Sequence, residues 1–190
     1  MRRMTTLAIV LMWVSTAMPA AMQTGCFELD GPMPASNPAQ LFSRSPAIVE
    51  ATVQSLFPAT EMPFGTRTRL HTDVLLHVDQ TIKGSGIGQE IVVSQMGGTL
   101  AERKDRPCAY SMMQPGERYI VPLVPSSGNT APPRLGVSRY EISGSFFGLL
   151  HLNGNSLGFS AGVPAAWRDT FAGMDAAQIV AAVKSSIGVK

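Results

Sequence analysis

Apolar and polar residues alternate along the middle of the chain, and a period of two is the pattern of a β-strand with one buried face. The longest such run covers residues 67–84. One face of this run carries Leu70, Thr72, Val74, Leu76 and Val78. The other face carries His71, Asp73, Leu75, His77 and Asp79. We therefore expect the first set to line a core and the second to form a solvated or half-covered polar face, where neighbouring charges interact weakly.

Three further segments are predicted to be strands because β-branched and apolar residues dominate them. They are residues 47–57, 89–96 and 117–125. Glycines at 84, 86 and 88 separate the longest strand from the one that follows it, which indicates an antiparallel hairpin. Pro122 has no backbone N–H to give to a neighbouring strand, so it indicates an edge position or a bulge.

The segments between these strands are predicted to be irregular. Residues 26–46 are rich in Pro, Ser and Asn and indicate a loop or an extended arm. Residues 58–66 form a connector with two prolines and a glycine. Residues 97–116 are predicted to form a loop of about 20 residues, a length that is usually functional or tied down, and Cys108 supplies a tie.

The last third of the chain changes character. Short strands are expected within residues 138–160, with a hairpin turn at Asn153–Gly154–Asn155. A helix is then predicted, because Asp175 is a good N-cap and Gln178 completes a capping box. Its buried stripe would consist of Ile179, Val180, Val183 and Ile187, with Gly188 as the stop. About six or seven short strands and one C-terminal helix predict a mainly β fold, a small closed or half-closed β-barrel with a helix packed on it.

The first 21 residues have the layout of a secretory signal peptide, with Arg2 and Arg3, an apolar run at 7–14 and small residues at 15–21. The apolar run is too short to span a bilayer, so no transmembrane segment is expected after cleavage. Removing the two arginines from 15 basic residues leaves 13 against 13 acidic ones. No basic excess remains to favour nucleic acid, which is bound mainly through phosphate neutralisation.

These features predict four parts and an exported protein, secreted or periplasmic. The parts are a signal peptide at 1–21, an extended arm at 22–46, a β-barrel domain at 47–162 and a helical extension at 163–190. Both cysteines, Cys26 and Cys108, lie in the exported part, and an even number in an oxidising compartment favours one disulfide. Two unpaired thiols are the alternative.

The stretch HTDVLLHVD at 71–79 contains imidazole and carboxylate groups, which are common metal ligands. A strand rises about 3.3 Å per residue, so the Cα atoms of His71 and His77 would lie about 20 Å apart. The two histidines therefore cannot bind one ion, and His151 is the only other histidine. We expect neither a metal site nor a cofactor.

No pattern for nucleophilic catalysis stands out either. A G-x-S-x-G elbow is absent, and Ser145 lies between glycines in a strand context. A disulfide would remove both thiolates. We therefore predict a protein that is not an enzyme. A small hydrolase with a His and Asp site on residues 67–81 is the less favoured alternative.

Three pieces, taken in order, resemble the tissue inhibitors of metalloproteinases and the related netrin-type modules. NPAQLFSRSPAIVEATV at 37–53 looks like their arm and first strand, and LHTDVLLHVDQTIKG like their long strand ending in Lys-Gly, here Lys83–Gly84. Cys108 followed by PGERYIV at 115–121 resembles their cysteine and the strand after it. The resemblance covers about half of the chain, roughly residues 26–125, and its motifs are moderately specific.

The resemblance implies a five-stranded OB-type barrel, a Cys26–Cys108 disulfide and a protein partner, with a metalloprotease as the specific variant. In that family the α-amine and carbonyl of an N-terminal cysteine chelate the protease zinc. Here the family's Cys-x-Cys start is absent, since position 28 is Glu. Partner-binding residues are expected in the arm and in the 97–116 loop, namely Cys26, Phe27, Glu28, Arg103, Lys104 and Arg106. A cell-envelope component or a lipoprotein anchored through Cys26 is the alternative function.

Overall fold

The computed structural model describes residues 26–27, 35, 37–108, 111–126, 136–144, 148–153, 156–158 and 165–188. The expected signal peptide, Glu28 and Ser145 lie outside these residues. The described chain is mainly β, as predicted. Its strands are β1 (Cys26–Phe27), β2 (Ala47–Leu56), β3 (Thr60–Phe64), β4 (Arg67–Lys83), β5 (Glu90–Met96), β6 (Gly98–Leu100), β7 (Arg103–Pro107), β8 (Arg118–Pro125), β9 (Ser138–Ile142), β10 (Leu150–Asn153) and β11 (Ser156–Gly158). Its helices are α1 (Pro38–Arg44), α2 (Ala165–Thr170) and α3 (Ala176–Ser186).

Two sheets contain the strands. The larger one follows the order β11-β10-β8-β2-β4-β5-β9, with β3 paired to β4 beside this path. Strand β9 also pairs with β8, so the pairings that start at β8 and run through β2, β4 and β5 return to β8. Within this ring only the β5–β9 pair is parallel. The smaller sheet has the order β1-β7-β6, and its β1–β7 pair is parallel.

The strand predictions from the alternating pattern are confirmed. The longest strand is β4, and Leu70, Thr72, Val74 and Leu76 are buried along one side of it. It pairs with β5 from His71 opposite Met96 to His77 opposite Glu90, which is the expected antiparallel hairpin. Strands β10 and β11 pair as an antiparallel hairpin with Asn153 opposite Ser156, and Gly154 and Asn155 of the expected turn lie outside the described residues.

The two faces of β2 and β8 contribute to two separate apolar cores. The inner core is formed mainly by Val49, Ala51, Val53, Val74, Leu76, Ile91, Val93, Val121 and Leu123. The outer core contains the alternate residues of β2 and β8, Ile48 and Ile120, which pack with Leu150 and Leu152 of β10. Phe42 of α1, Phe171 just after α2, and Ile179, Val180 and Val183 of α3 complete this outer core. Helix α3 therefore covers the outside of the β2-β8-β10 face.

The C-terminal helix forms as predicted. Asp175 caps it by accepting a hydrogen bond from the Gln178 N–H at 2.9 Å, and the Gln178 side chain accepts from the Asp175 N–H at 2.8 Å. This reciprocal capping box satisfies two of the N–H groups that have no partner inside a helix. Gly188 follows the helix with a φ of 72°, a left-handed conformation that suits glycine.

Three segments predicted to be irregular contain regular structure, and those predictions are wrong. The arm contains α1, because Asn37 caps it through a 2.8 Å hydrogen bond from the Gln40 N–H and Pro38 fits the first helical position. The 58–66 connector contains β3, an edge strand in which Pro63 is tolerated. The 97–116 loop contains the β6–β7 hairpin. The count of six or seven strands was therefore too low.

Pro122 does not mark an edge strand, because β8 lies between β2 on one side and β10 and β9 on the other. Strand β10 pairs with residues 118–120, whereas β9 pairs with residues 123–125. Pro122 thus lies where the partner strand changes, and the missing N–H falls at the break between the two ladders.

The Lys83–Gly84 pair has a structural role. The Lys83 ammonium donates to the carbonyls of Phe42 and Ser43 at 3.2 and 2.8 Å, so it satisfies groups at the C-terminal end of α1. Gly84 has a φ of 97°, and a Cβ at this position would lie 2.9 Å from the Cβ of Ala47. Any other residue would therefore clash with the start of β2.

Candidate binding surface around the disulfide

Cys26 and Cys108 form a disulfide, with their Cα atoms 4.8 Å apart. The cross-link joins residues 82 positions apart and ties the start of the described chain to the end of β7. Both cysteines are exposed. The pairing expected from the number of cysteines, and implied by the family resemblance, is thus present.

Strand β1 lies along β7 beside this disulfide. Cys26 is opposite Arg106, Phe27 is opposite Pro107, and the Cys108 N–H donates to the Phe27 carbonyl at 2.9 Å. Phe27 is buried, and the Arg69 guanidinium carbon lies 4.6 Å from its ring centroid, a cation–π distance. Phe27 therefore anchors the arm against β4 and is not a free contact residue.

The strand period divides the predicted basic cluster into two faces. Arg103, Asp105 and Pro107 face inward, where Asp105 and Pro107 are buried and Arg103 is half-buried. Lys104 and Arg106 face outward and are exposed. Of the three basic residues predicted to contact a partner, Lys104 and Arg106 are therefore exposed, whereas Arg103 is half-buried and forms contacts within the protein.

The inward side chains of β7 complete the edge of β4 beyond the end of β5. The last ladder pair of β4 and β5 is His71 with Met96, and the next backbone bond runs from the Gly97 N–H to the Leu70 carbonyl. Past this point the Asp105 carboxylate accepts from the Leu70 N–H at 3.0 Å. The Arg103 guanidinium donates to the Thr68 carbonyl at 2.8 Å. Two side chains thus satisfy backbone groups that a longer β5 would otherwise have paired.

Arg103 and Asp105 also hold each other in place. The guanidinium donates to the Asp105 carboxylate at 2.7 and 3.2 Å and to Glu61 of β3 at 2.7 Å. Burial alone would raise the pKa of Asp105, but the hydrogen bonds from Arg103 and from the Leu70 N–H outweigh it and hold that pKa below its usual range. The bidentate geometry makes this a strong ion pair, and it fixes the β6–β7 hairpin on β3 and β4.

The HTDVLLHVD stretch contains a buried ion pair that the sequence reasoning did not predict. Asp73 is 5% exposed and accepts two hydrogen bonds, at 2.7 and 2.8 Å, from the Arg139 guanidinium on β9. The expectation of weak contacts across solvent is therefore wrong for Asp73. Its partner, Arg139, lies 66 residues away in the chain and reaches it across β5, so no local sequence pattern predicts the pair.

His71 and His77 lie on the same strand, opposite Met96 and Glu90 respectively. His71 is half-buried, and desolvation by that burial is the main reason why its pKa is lowered, although the Asp73 carboxylate opposes the shift. His71 Nε2 is buried and makes no hydrogen bond. Among the residues that the structure describes, no group of three or more His, Cys, Asp or Glu side chains is placed to hold a metal ion.

A second polar cluster joins β8 to β10. The Tyr119 hydroxyl donates to Glu117 at 2.5 Å, and the Tyr119 and His151 rings stack with centroids 4.7 Å apart. His151 Nε2 lies 3.7 Å from the Glu117 carboxylate. Burial and the hydrogen bond to Glu117 raise the pKa of Tyr119 well above its usual range, so the phenol keeps its proton. The cluster thus offers no activated nucleophile.

A surface cavity of about 480 Å³ lies between the first turn of α3 and the sheet. It is lined by Glu50, Gln80, Arg118, Asp175, Ala176, Ala177 and Val180. Glu50 is buried and forms an ion pair with Arg118. Its charged groups are already engaged within the fold, because Arg118 pairs with Glu50 and the Asp175 carboxylate caps α3.

No protein-family model and no curated protein matches this chain. In the described part, no helix is long and apolar enough to cross a membrane.

The division of β7 into an inner and an outer face is not visible in the sequence. The run RKDRP at 103–107 carries charged residues at four of its five positions, so it shows no alternation of apolar and polar residues. Arg103 and Asp105 separate from Lys104 and Arg106 only once the segment is known to be a strand, in which successive side chains point to opposite faces.

Proposed function

We propose that this chain is an exported, non-enzymatic binding module that contacts a protein partner through its stapled edge, defined as Cys26, Lys104, Arg106 and Cys108. The observation that carries the proposal is the division of β7. Its inward side chains, Arg103 and Asp105, form hydrogen bonds and an ion pair within the fold, whereas its outward cations and the adjoining disulfide are exposed. A rigid, cross-linked edge suits binding because little conformational entropy is lost when a partner docks.

The strand order supports an OB-type barrel as the scaffold. Five strands, β8, β2, β4, β5 and β9, each pair with two others of the set. A five-stranded, partly open barrel is the OB architecture, and such barrels bind along one face and its flanking loops. The family resemblance, which includes this barrel, makes a zinc metalloprotease the first partner to test.

The disulfide bears on the alternative of a lipid anchor. A lipoprotein carries its lipid on the thiol of its first cysteine, and the Cys26 sulfur is used here by Cys108. A stapled and a lipidated Cys26 are therefore mutually exclusive forms of the chain. The structure gives the hydrolase alternative no support, since the histidines of β4 lie opposite different residues of β5.

The mature N-terminus and its disulfide decide between these functions. The full chain would be exported from a bacterial host with its own leader, and intact mass would be measured before and after reduction. We expect a chain that gains two hydrogens on reduction and carries no lipid. An acylated Cys26 would overturn the proposal in favour of an anchored envelope component.

Binding would then be measured against a panel of zinc metalloproteases. We expect the charge reversals Lys104→Glu and Arg106→Glu to weaken binding, with Arg44→Glu on α1 as the matched exposed control. Chelation of the protease zinc requires Cys26 at the N-terminus, whereas removal of residues 1–21 leaves residues 22–25 in front of it. Inhibition by chelation is therefore expected only from a chain that is cleaved directly before Cys26, and one alanine added there would abolish it while the disulfide stays. Binding that responds equally to Arg44→Glu and Arg106→Glu would contradict the stapled edge as the contact surface.

A further inference from the structure

The two large apolar side chains that are most exposed in the described part of the chain stand at one end of the molecule. Phe64 is 47% exposed and Leu100 is 39% exposed. Phe64 closes the β3–β4 hairpin opposite Arg67, and Leu100 closes the β6–β7 hairpin opposite Arg103. Each therefore stands directly before a two-residue turn, close to the end of its hairpin.

The contacts of Arg103 bring the two hairpin tips together. Its guanidinium donates to the Thr68 carbonyl at 2.8 Å and to Glu61 at 2.7 Å, so the β6–β7 hairpin is fixed against the β3–β4 hairpin. Thr68 adjoins Arg67, the residue opposite Phe64. The half-buried Arg103 guanidinium thus links the two hairpins near their ends, which restrains them from moving independently.

Basic side chains flank both apolar tips. Arg67 and Lys104 are exposed, and neither forms an ion pair within the described residues. On the acidic side, Glu61 is engaged by Arg103 and Asp105 is buried in the same ion pair, which leaves Glu102 as the exposed acid of the β6–β7 turn. The surface formed by Phe64, Arg67, Leu100 and Lys104, the twin-tip surface, is therefore apolar at its points and cationic around them.

We propose that the twin-tip surface docks on an anionic lipid bilayer. Shallow insertion of apolar side chains combined with attraction between basic residues and anionic headgroups is how peripheral proteins bind membranes reversibly. A protein partner fits this surface less well, because a stable protein interface needs about 800 Å² per partner around a packed apolar centre. Here each tip has one exposed large apolar side chain. Single side chains of this kind can insert into a fluid lipid interface, which needs no complementary shape.

The twin-tip surface and the stapled edge share one residue, Lys104, and differ in the rest. Phe64, Arg67 and Leu100 belong to the tips alone, whereas Cys26, Arg106 and Cys108 belong to the stapled edge alone. Loss of vesicle binding in Phe64→Ser or Arg67→Gln should therefore leave protease binding unchanged, and loss of protease binding in Arg106→Glu should leave vesicle binding unchanged. A change at Lys104 should weaken both.

Sedimentation with lipid vesicles tests the proposal on the mature, disulfide-bonded chain. The probes are phosphatidylcholine vesicles, with and without phosphatidylglycerol as a minority component. We expect binding to the anionic vesicles, weakened by salt, and none to the neutral ones. Equal binding to both kinds of vesicle, or binding to neither, would overturn the proposal. If substitutions at the tips then weakened binding to a protein partner, the twin-tip surface would be a protein interface instead.

Variants at the tips sharpen the test. We expect Phe64→Ser to weaken vesicle binding about tenfold through lost apolar burial. Arg67→Gln and Lys104→Gln should each weaken it about fivefold. Phe64→Trp should restore binding and shift its fluorescence to the blue when vesicles are added, because indole settles at the lipid interface. Arg44→Gln, an exposed arginine on α1 near the opposite end of β4, is the control, and an equal loss there would contradict the twin-tip surface.

Discussion

Two regions of this molecule are held together by different means. On the helix-covered face, α3 packs apolar side chains on β2, β8 and β10, and Ile48, Ile120, Ile179 and Val183 are fully or almost fully buried there. At the stapled end, the β1-β7-β6 sheet is fastened by a disulfide and by the Arg103–Asp105 pair. The first kind of contact is non-directional, and the second depends on a few geometrically exact partners.

The difference shows how a small sheet can be fixed at an exposed position. Strands of two to five residues bury too little apolar area to hold themselves in place. A covalent link and charge-assisted hydrogen bonds to the β4 backbone replace the missing area. The outward residues of β7, Lys104 and Arg106, consequently remain exposed and carry charge.

Removal of the disulfide should have the largest effect. Replacing both cysteines, Cys26→Ser with Cys108→Ser, should lower the free energy of unfolding by about 4 kcal/mol, since the cross-link closes a long loop in the unfolded chain. Urea denaturation measures the loss, and hydrogen exchange locates it. We expect amide protection in α3 to fall only as far as the global stability falls, and protection in β1 and β7 to fall further because these strands also lose their local link. Uniform loss of protection across both regions would show that they are not held separately.

On the helix-covered face, Ile179→Ala should lower the free energy of unfolding by about 3 kcal/mol, because Ile179 is fully buried and a cavity would remain. Ile187, half-buried at the end of α3, provides the matched comparison, and its replacement by alanine should cost less. The same denaturation measurement applies. An equal loss at both positions would argue against an outer core centred on Ile179.

The helix-covered face was also the region that could be predicted from the sequence. The stripe of Ile179, Val180 and Val183 and the capping box at Asp175 are local patterns, and each lies within a few residues of the helix it defines. The period of two identified β4 and its buried face for the same reason.

The stapled end could not be predicted in the same way, because its partners are far apart in sequence. Arg103 meets Glu61 and Thr68, and Asp73 meets Arg139, only after the strand registers are fixed. Composition also misled at β3, where two prolines and a glycine suggested a connector. An edge strand tolerates Pro63, and Gly65 has the positive φ of 59° that the tight turn uses.

Arg103 tests the polar fastening directly. We expect Arg103→Met to lower the free energy of unfolding by about 2 kcal/mol, since it removes the guanidinium that donates to both the Asp105 carboxylate and the Thr68 carbonyl and leaves the charge of Asp105 without its partner. The adjacent Lys104→Met, on the outward face of β7, should change it by less than about 0.5 kcal/mol. Thermal or urea unfolding of the two variants separates the faces. Similar losses from both would contradict the division of β7 into an inner and an outer face.

The smallest effect depends on pH and isolates the charge of Asp105. Its pKa in the fold lies below the ordinary value of 3.8, so the unfolded chain takes up a proton first as the solution is acidified. The ionised carboxylate therefore stabilises the fold fully above pH 3.8, and that contribution is lost as the pH falls through the lowered value.

Asp105→Asn lacks the charge at every pH. We expect this variant to be less stable than the natural chain at neutral pH and to approach it in acid. Glu102→Gln, on the exposed turn of the same hairpin, should show no such convergence. A stability difference for Asp105→Asn that stays constant from neutral to acidic pH would show that the carboxylate acts through shape and hydrogen bonding rather than charge.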